Sequence, residues 1–207
     1  MSPSTSFKPE WIEKARIDYF PHFMTLWISV NSWYKSIYEH NQDRQCINAI
    51  KNDFTIRNNL FSQFTKLMSV DTNKDSLKFK SDLEGLFYAL NSANISYADK
   101  GKDGQEIIMS FNRLLIDFSK RRDVSKYVNI MTMPSRSLTS EETPPQSIIK
   151  LDSKYIIDDN EIVFAGLIEV IYQMRCHLFH GNLDAESDYH HDVVKYCYEI
   201  LFALMNF

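Results

Sequence analysis

Residues 161–181 read EIVFAGLIEVIYQMRCHLFHG. On a wheel of about 100° per residue, Val163, Leu167, Ile168, Val170, Ile171 and Met174 form one broad apolar arc. Asp158-Asp159-Asn160 supplies an N-cap before it, and Gly181 supplies a stop at its end. Arg175 falls inside the arc, beside Ile168, Ile171 and Leu178 in projection. A cation there is paired with a carboxylate, leaves at the helix end, or lines a cleft.

Outward from this stretch the helical spacing recurs. Pro9-Glu10-Trp11 has the form of a helix start, and the apolar pattern runs from Ile17 to Ile37, with Pro21 expected to split or kink it. Asp43–Asp53 predicts a short helix with Cys46, Ile47 and Ile50 on one side. Phe54–Met68 carries Ile56, Leu60, Phe61, Phe64 and Leu67, and Leu77–Leu90 carries Leu83, Leu86 and Phe87. Tyr97–Gln105 reads as a loop, and Ile107–Phe118 as a further helix. A last helix begins near Glu186 or Ser187 and runs to the terminus.

Between these, Met131–Gln146 is rich in Pro, Ser and Thr, and its flanks Tyr127–Met131 and Ile148–Ile157 are β-prone, able to pair as a hairpin. The expectation is a single all-α domain over 1–207: a bundle of about five to seven helices with one irregular insertion at about 127–157.

Composition narrows the function classes. The chain has 207 residues, enough for a sizeable core without staples, and only 5 glycines, few for an all-β fold. Three scattered cysteines make neither a disulfide framework nor a zinc ribbon. With no signal-peptide pattern in Met1–Pro9 and no apolar run read as a bilayer span, a cytoplasmic protein without membrane attachment is expected. The net charge of −4 argues against a general polyanion binder. The exception is a basic cluster, Lys120, Arg121, Arg122 and Lys126, which is either a guide for an RNA strand or a solvated helix end.

The reactive candidates gather after Met174. His177 and His180 are three apart and share a helix edge, whereas Arg175 and His180 are about 140° apart and converge only if the helix ends or a second copy faces the first. Cys176, His177, His180, His190, His191 and Cys197 are the residues near the last two helices that could serve a metal. Adjacent His190 and His191 point apart, and no zinc-type spacing is present, so neither metal nor cofactor is expected.

The string Tyr172-Gln173-Met174-Arg175-Cys176-His177-Leu178-Phe179-His180-Gly181 resembles the R-x4-6-H motif of HEPN domains. Trp27-Ile28-Ser29-Val30-Asn31-Ser32-Trp33-Tyr34 resembles the Trp/Asn/Tyr helix of many members. The resemblance implies a homodimeric, metal-independent endoribonuclease in a toxin–antitoxin or phage-defence setting, with RNA as substrate and an antitoxin or regulatory protein as a further partner. It implies Arg175 and His180 as catalytic residues, with His177, Cys176 and Asn31 supporting. The family usually has a polar residue after the Arg; here it is Cys176, with His177 as the neighbouring polar group. Histidine chemistry fits proton transfer near neutrality, and a guanidinium fits a phosphorane dianion. Two alternatives stand beside this: a non-catalytic HEPN-like dimer that binds RNA, nucleotide or protein, and an antitoxin-binding scaffold docking through Met131–Gln146.

Overall fold

The computed structural model describes residues 16–69, 73–98, 106–109, 148–150, 155–157 and 159–207. Six helices dominate them: α1 (Tyr19–Ile37), α2 (Asp43–Asn52), α3 (Asn59–Met68), α4 (Lys74–Ala93), α5 (Asn160–Phe179) and α6 (Asp188–Met205). The all-α bundle expected from periodicity is the observed class.

Each start has a local cause. Asp18, Asn58, Asn73, Asp159 and Ser187 each accept a hydrogen bond from a backbone N–H of the first turn of α1, α3, α4, α5 and α6 respectively. Pro21 does not split α1. It stands in the first turn, where its missing N–H has no intrahelical partner to lose. Phe54–Asn58 precedes α3 rather than forming part of it, because Asn58 caps the helix; Ile56, read as a core position, is 93% exposed.

α5 ends in a Schellman motif. His180 is the cap residue, Gly181 takes φ +67°, and the N–H groups of Gly181 and Asn182 donate to the carbonyls of Leu178 and His177 at 3.3 and 2.9 Å.

Two short hairpins depart from the sequence expectation. β1 (Ser96–Ala98) pairs antiparallel with β2 (Glu106–Ile108), so Ile107 and Ile108 lie in a strand and not at the start of a helix. β3 (Ile148–Lys150) pairs with β4 (Tyr155–Ile157), so the stretch expected to pair with Tyr127–Met131 folds back on itself. Tyr127–Met131, Met131–Gln146 and the helix expected at 110–118 lie outside the described residues.

α6 packs against α1, α3, α4 and α5, and α5 lies beside it in the bundle. The buried side of α5 runs from Val163 to Met174, and α2, α3, α6 and α1 all pack against it. Phe164 is fully buried and meets Phe61 and Phe64 at ring-centroid distances of 5.2 and 5.5 Å, and Phe64 meets Phe79 at 5.9 Å. Fully burying one such ring contributes roughly 1.5–3 kcal/mol. The expectation that no run is long and apolar enough for a bilayer needs correction. α5 meets that criterion by length and composition, yet most of it is buried inside the bundle, which accounts for its apolarity as core.

α4 and α6 approach each other closely at Gly85. A Cβ on Gly85 would stand 2.3 Å from Cε1 of Tyr196.

Candidate functional site

The end of α5, α1 and the start of α2 bring Arg175 together with Trp27, Tyr34 and Asp43. Arg175 is largely buried, with 18% of its side chain exposed. Its Nη2 donates to Oδ2 of Asp43, the first residue of α2, at 3.4 Å. Its guanidinium carbon lies 4.7 Å from the Phe179 ring centroid and 6.0 Å from that of Trp27. Nε of Arg175 has no hydrogen-bond partner among the described residues. The cation is therefore paired, as a cation on an apolar arc must be, but by one long contact that leaves donors over.

The Trp27–Tyr34 stretch of α1 faces this cation. Trp27 and Tyr34 are buried core aromatics, and Trp27 also packs against Tyr172 at 6.1 Å. Burial, and then the neighbouring Asp43 carboxylate, push the Tyr34 hydroxyl up from its usual range. Asn31 is half-buried, and its Oδ1 has no hydrogen-bond partner among the described residues. The structure gives Asn31 no bond to Arg175 or His180.

The histidines stand elsewhere. His177 is two residues from Arg175, about 200° round the helix. It is half-buried, its Nδ1 is buried without a partner, and burial, followed by His180 and by His190 of α6, pulls its pKa down. His180, as the cap of α5, is exposed, and its N–H donates to the Cys176 carbonyl at 3.0 Å. No hydrogen bond joins Arg175 to His180 among the described residues. On the helix, then, His177 projects away from the side that carries Arg175. Cys176 is half-buried beside Tyr172, whose hydroxyl is pushed up first by burial and then by that thiol.

His190 and His191 hold the α5–α6 turn. Nδ1 of His190 accepts the N–H of Asp184 at 2.9 Å, and Nε2 of His191 lies 2.8 Å from the Ala185 carbonyl. The His191 ring also stacks on Phe20 at 4.6 Å. A cleft of about 350 Å³ lies beside this turn, lined by Arg16, Ile17, Asp18, Ala185, Glu186 and His191, and contains neither Arg175 nor His180. Among the described residues no group of three or more His, Cys, Asp or Glu side chains is arranged to hold a metal ion. Lys120, Arg121, Arg122 and Lys126 lie outside the described residues.

Two features were not read from the sequence. One is Asp43 as the partner of Arg175. The other is a buried ionic network on Glu169, one and a half turns earlier on α5. Arg44 Nη1 reaches both Glu169 oxygens at 2.8 and 2.7 Å, Lys51 Nζ reaches Oε2 at 2.7 Å, and Gln173 Nε2 reaches Oε1 at 2.7 Å. Burial raises the Glu169 carboxyl, but Lys51 and Arg44 outweigh it and the net shift is downward. Burial likewise lowers the Lys51 ammonium, against the pull of Glu169. With two cations on one carboxylate at these distances, the ionised pair is the form the geometry supports. The only sequence signal was an acid inside an apolar stretch.

Comparison of the chain with family models, curated proteins and solved structures found no match.

Proposed function

We propose that the protein is a metal-independent endoribonuclease of HEPN type, acting on RNA as a homodimer. One observation carries this reading: Arg175 is a largely buried cation whose single carboxylate contact is long and whose Nε is unpaired, with an exposed histidine five residues on at the helix cap. A buried guanidinium with donors to spare suits a phosphate better than a structural ion pair does.

In this reading the ribose 2′-oxygen attacks the adjacent phosphorus. One His180 accepts the 2′-OH proton, and a His180 of the second protomer protonates the departing 5′-oxygen. Arg175 stabilises the charge that develops on the non-bridging oxygens. The P–O5′ bond breaks as the P–O2′ bond forms, leaving a 2′,3′-cyclic phosphate and a 5′-OH. The separation of Arg175 from His180 within one chain is what makes the second copy necessary. His177, Cys176 and Asn31 are supporting residues, and Lys120, Arg121, Arg122 and Lys126 steer the strand. A cytoplasmic toxin–antitoxin or phage-defence role, with an antitoxin or regulatory protein as partner, belongs to the same reading.

The second reading is a non-catalytic dimer that binds RNA, nucleotide or protein. It is favoured by the same separation of Arg175 from the histidines, and by the net charge of −4. Purified protein incubated with mixed RNA in excess EDTA separates the two. Cleavage that leaves 2′,3′-cyclic phosphate ends, and that is lost in both Arg175→Ala and His180→Ala, is the expected result. No cleavage by the unaltered chain, or equal cleavage by all three proteins, sinks the nuclease reading.

A further inference from the structure

Arg175 is a long side chain on the last two turns of a helix, and something must hold its plane. We propose that Asp43 is a positioning residue, which orients the Arg175 guanidinium from α2 without saturating it. The inference rests on the reading of Arg175 as a phosphate ligand, and its test is built so that the two can fail separately.

Two arginines in the structure differ in how they meet their carboxylates. Arg44 places one nitrogen on both oxygens of Glu169, at 2.8 and 2.7 Å, where the carboxylate is shared, among the described residues, with Lys51 and Gln173. Its guanidinium carbon lies over the Tyr172 ring, 4.4 Å from the centroid. That arginine is committed to structure. Arg175 has one contact of 3.4 Å to a carboxylate that also lies 3.9 Å from Lys35 Nζ. Asp43 therefore divides its charge between two cations and neutralises neither at close range.

Geometry supplies the rigidity that orientation requires. Asp43 and Arg44 are successive residues at the start of α2, and they reach α5 at positions 175 and 169 respectively. The Glu169 network pins α2 to α5, so the Asp43 carboxylate has a set place beside Arg175. Phe179 covers a face of the guanidinium at 4.7 Å and Asp43 takes one edge. With face and edge both set, the remaining donors point in a defined direction, as bidentate phosphate recognition demands.

The test uses the full chain with Asp43→Asn, Asp43→Glu and Lys35→Met. The first readout is hydrogen exchange at the Arg175 Nε–H, followed by nitrogen-15 NMR and assigned by its loss in Arg175→Lys. It needs no activity. Asp43→Asn should speed that exchange about tenfold, Asp43→Glu should restore it, and Lys35→Met, which frees the carboxylate for Arg175, should slow it. If Asp43→Asn does not fold, Lys35→Met alone decides: unchanged exchange there overturns the proposal, as does unchanged exchange in a folded Asp43→Asn. The second readout is cleavage. Asp43→Asn should lower kcat about tenfold with KM within about twofold, rescued by Asp43→Glu, because misplacing a charge acts on the transition state. Equal loss in Asn and Glu variants overturns the positioning role. If the unaltered chain cuts no RNA, the proposed function falls and the exchange measurement still decides Asp43.

Discussion

The surroundings of His177 oppose a charge on its ring. Its half-buried ring has no partner for Nδ1, and His180 and His190 add like charge when protonated. The folded-state pKa therefore lies below the ordinary value of 6.5. Below 6.5 the unfolded chain binds a proton that the folded chain resists, so stability is full above that value and falls as pH drops through it. His177→Gln should flatten the dependence of Tm on pH between about 5 and 7. An equal slope in both proteins would remove His177 as its source. Gly85 makes a second prediction at this scale. Its Cβ would overlap the Tyr196 ring, so Gly85→Ala should destabilise by about 1–3 kcal/mol in urea unfolding, and Gly85→Ala with Tyr196→Ala should recover part of the loss. Arg175 was legible as unusual because a cation on an apolar arc is a local property of sequence. Asp43 was not, because it lies on another helix, 132 residues away in the chain, and nothing in its own neighbourhood marks it.

The helices were legible where a cap and a period agreed. For α5 both were present: Asp159 bonds the Ile162 N–H, and Gly181 takes the left-handed conformation anticipated from its place after the apolar arc. For α3 the apolar residues Phe54 and Ile56 extended the apparent period backwards past the true cap, Asn58, whose Nδ2 also donates to the Ile50 and Asp53 carbonyls. The β1–β2 hairpin was illegible because strands of three residues give too little period to tell from a helix turn, as Ile107–Ile108 shows, whereas the β tendency of Ile148–Ile157 was legible and its fold-back pairing was not. The hold of α2 on α5 yields the prediction that belongs to elements. Glu169→Ala removes the carboxylate that faces Lys51 and Arg44 and should cost about 3–5 kcal/mol. Glu169→Ala with Lys51→Met should cost distinctly less. Hydrogen exchange of α2 amides relative to those of α4 is the measurement; uniform loss of protection across both helices would deny α2 a separate dependence on this network.

At the scale of the whole molecule, no hydrogen bond joins Arg175 to His180 within one chain among the described residues, and the proposed site takes its second histidine from another copy. A nuclease site completed by a second copy makes specific activity depend on protein concentration. Cleavage per protomer should rise with concentration and level off where sedimentation shows dimer. A rate strictly proportional to concentration across a range that contains monomer alone argues against the composite site. The core gives a plainer benchmark: Phe164→Ala, which empties the centre of the Phe61–Phe64–Phe79 cluster, should cost about 3–5 kcal/mol in denaturant unfolding. The contact of Arg175 with Trp27 has an optical consequence. The emission colour of an indole follows the electric field across its ring, and here a fixed positive charge lies 6.0 Å from the ring centre. Of the three tryptophans, Trp11 and Trp33 can be replaced by Phe, leaving Trp27 as the sole emitter. Its spectrum then reports the guanidinium directly, and any anion that draws Arg175 away from the ring registers as a change of colour, whether or not a bond is cut.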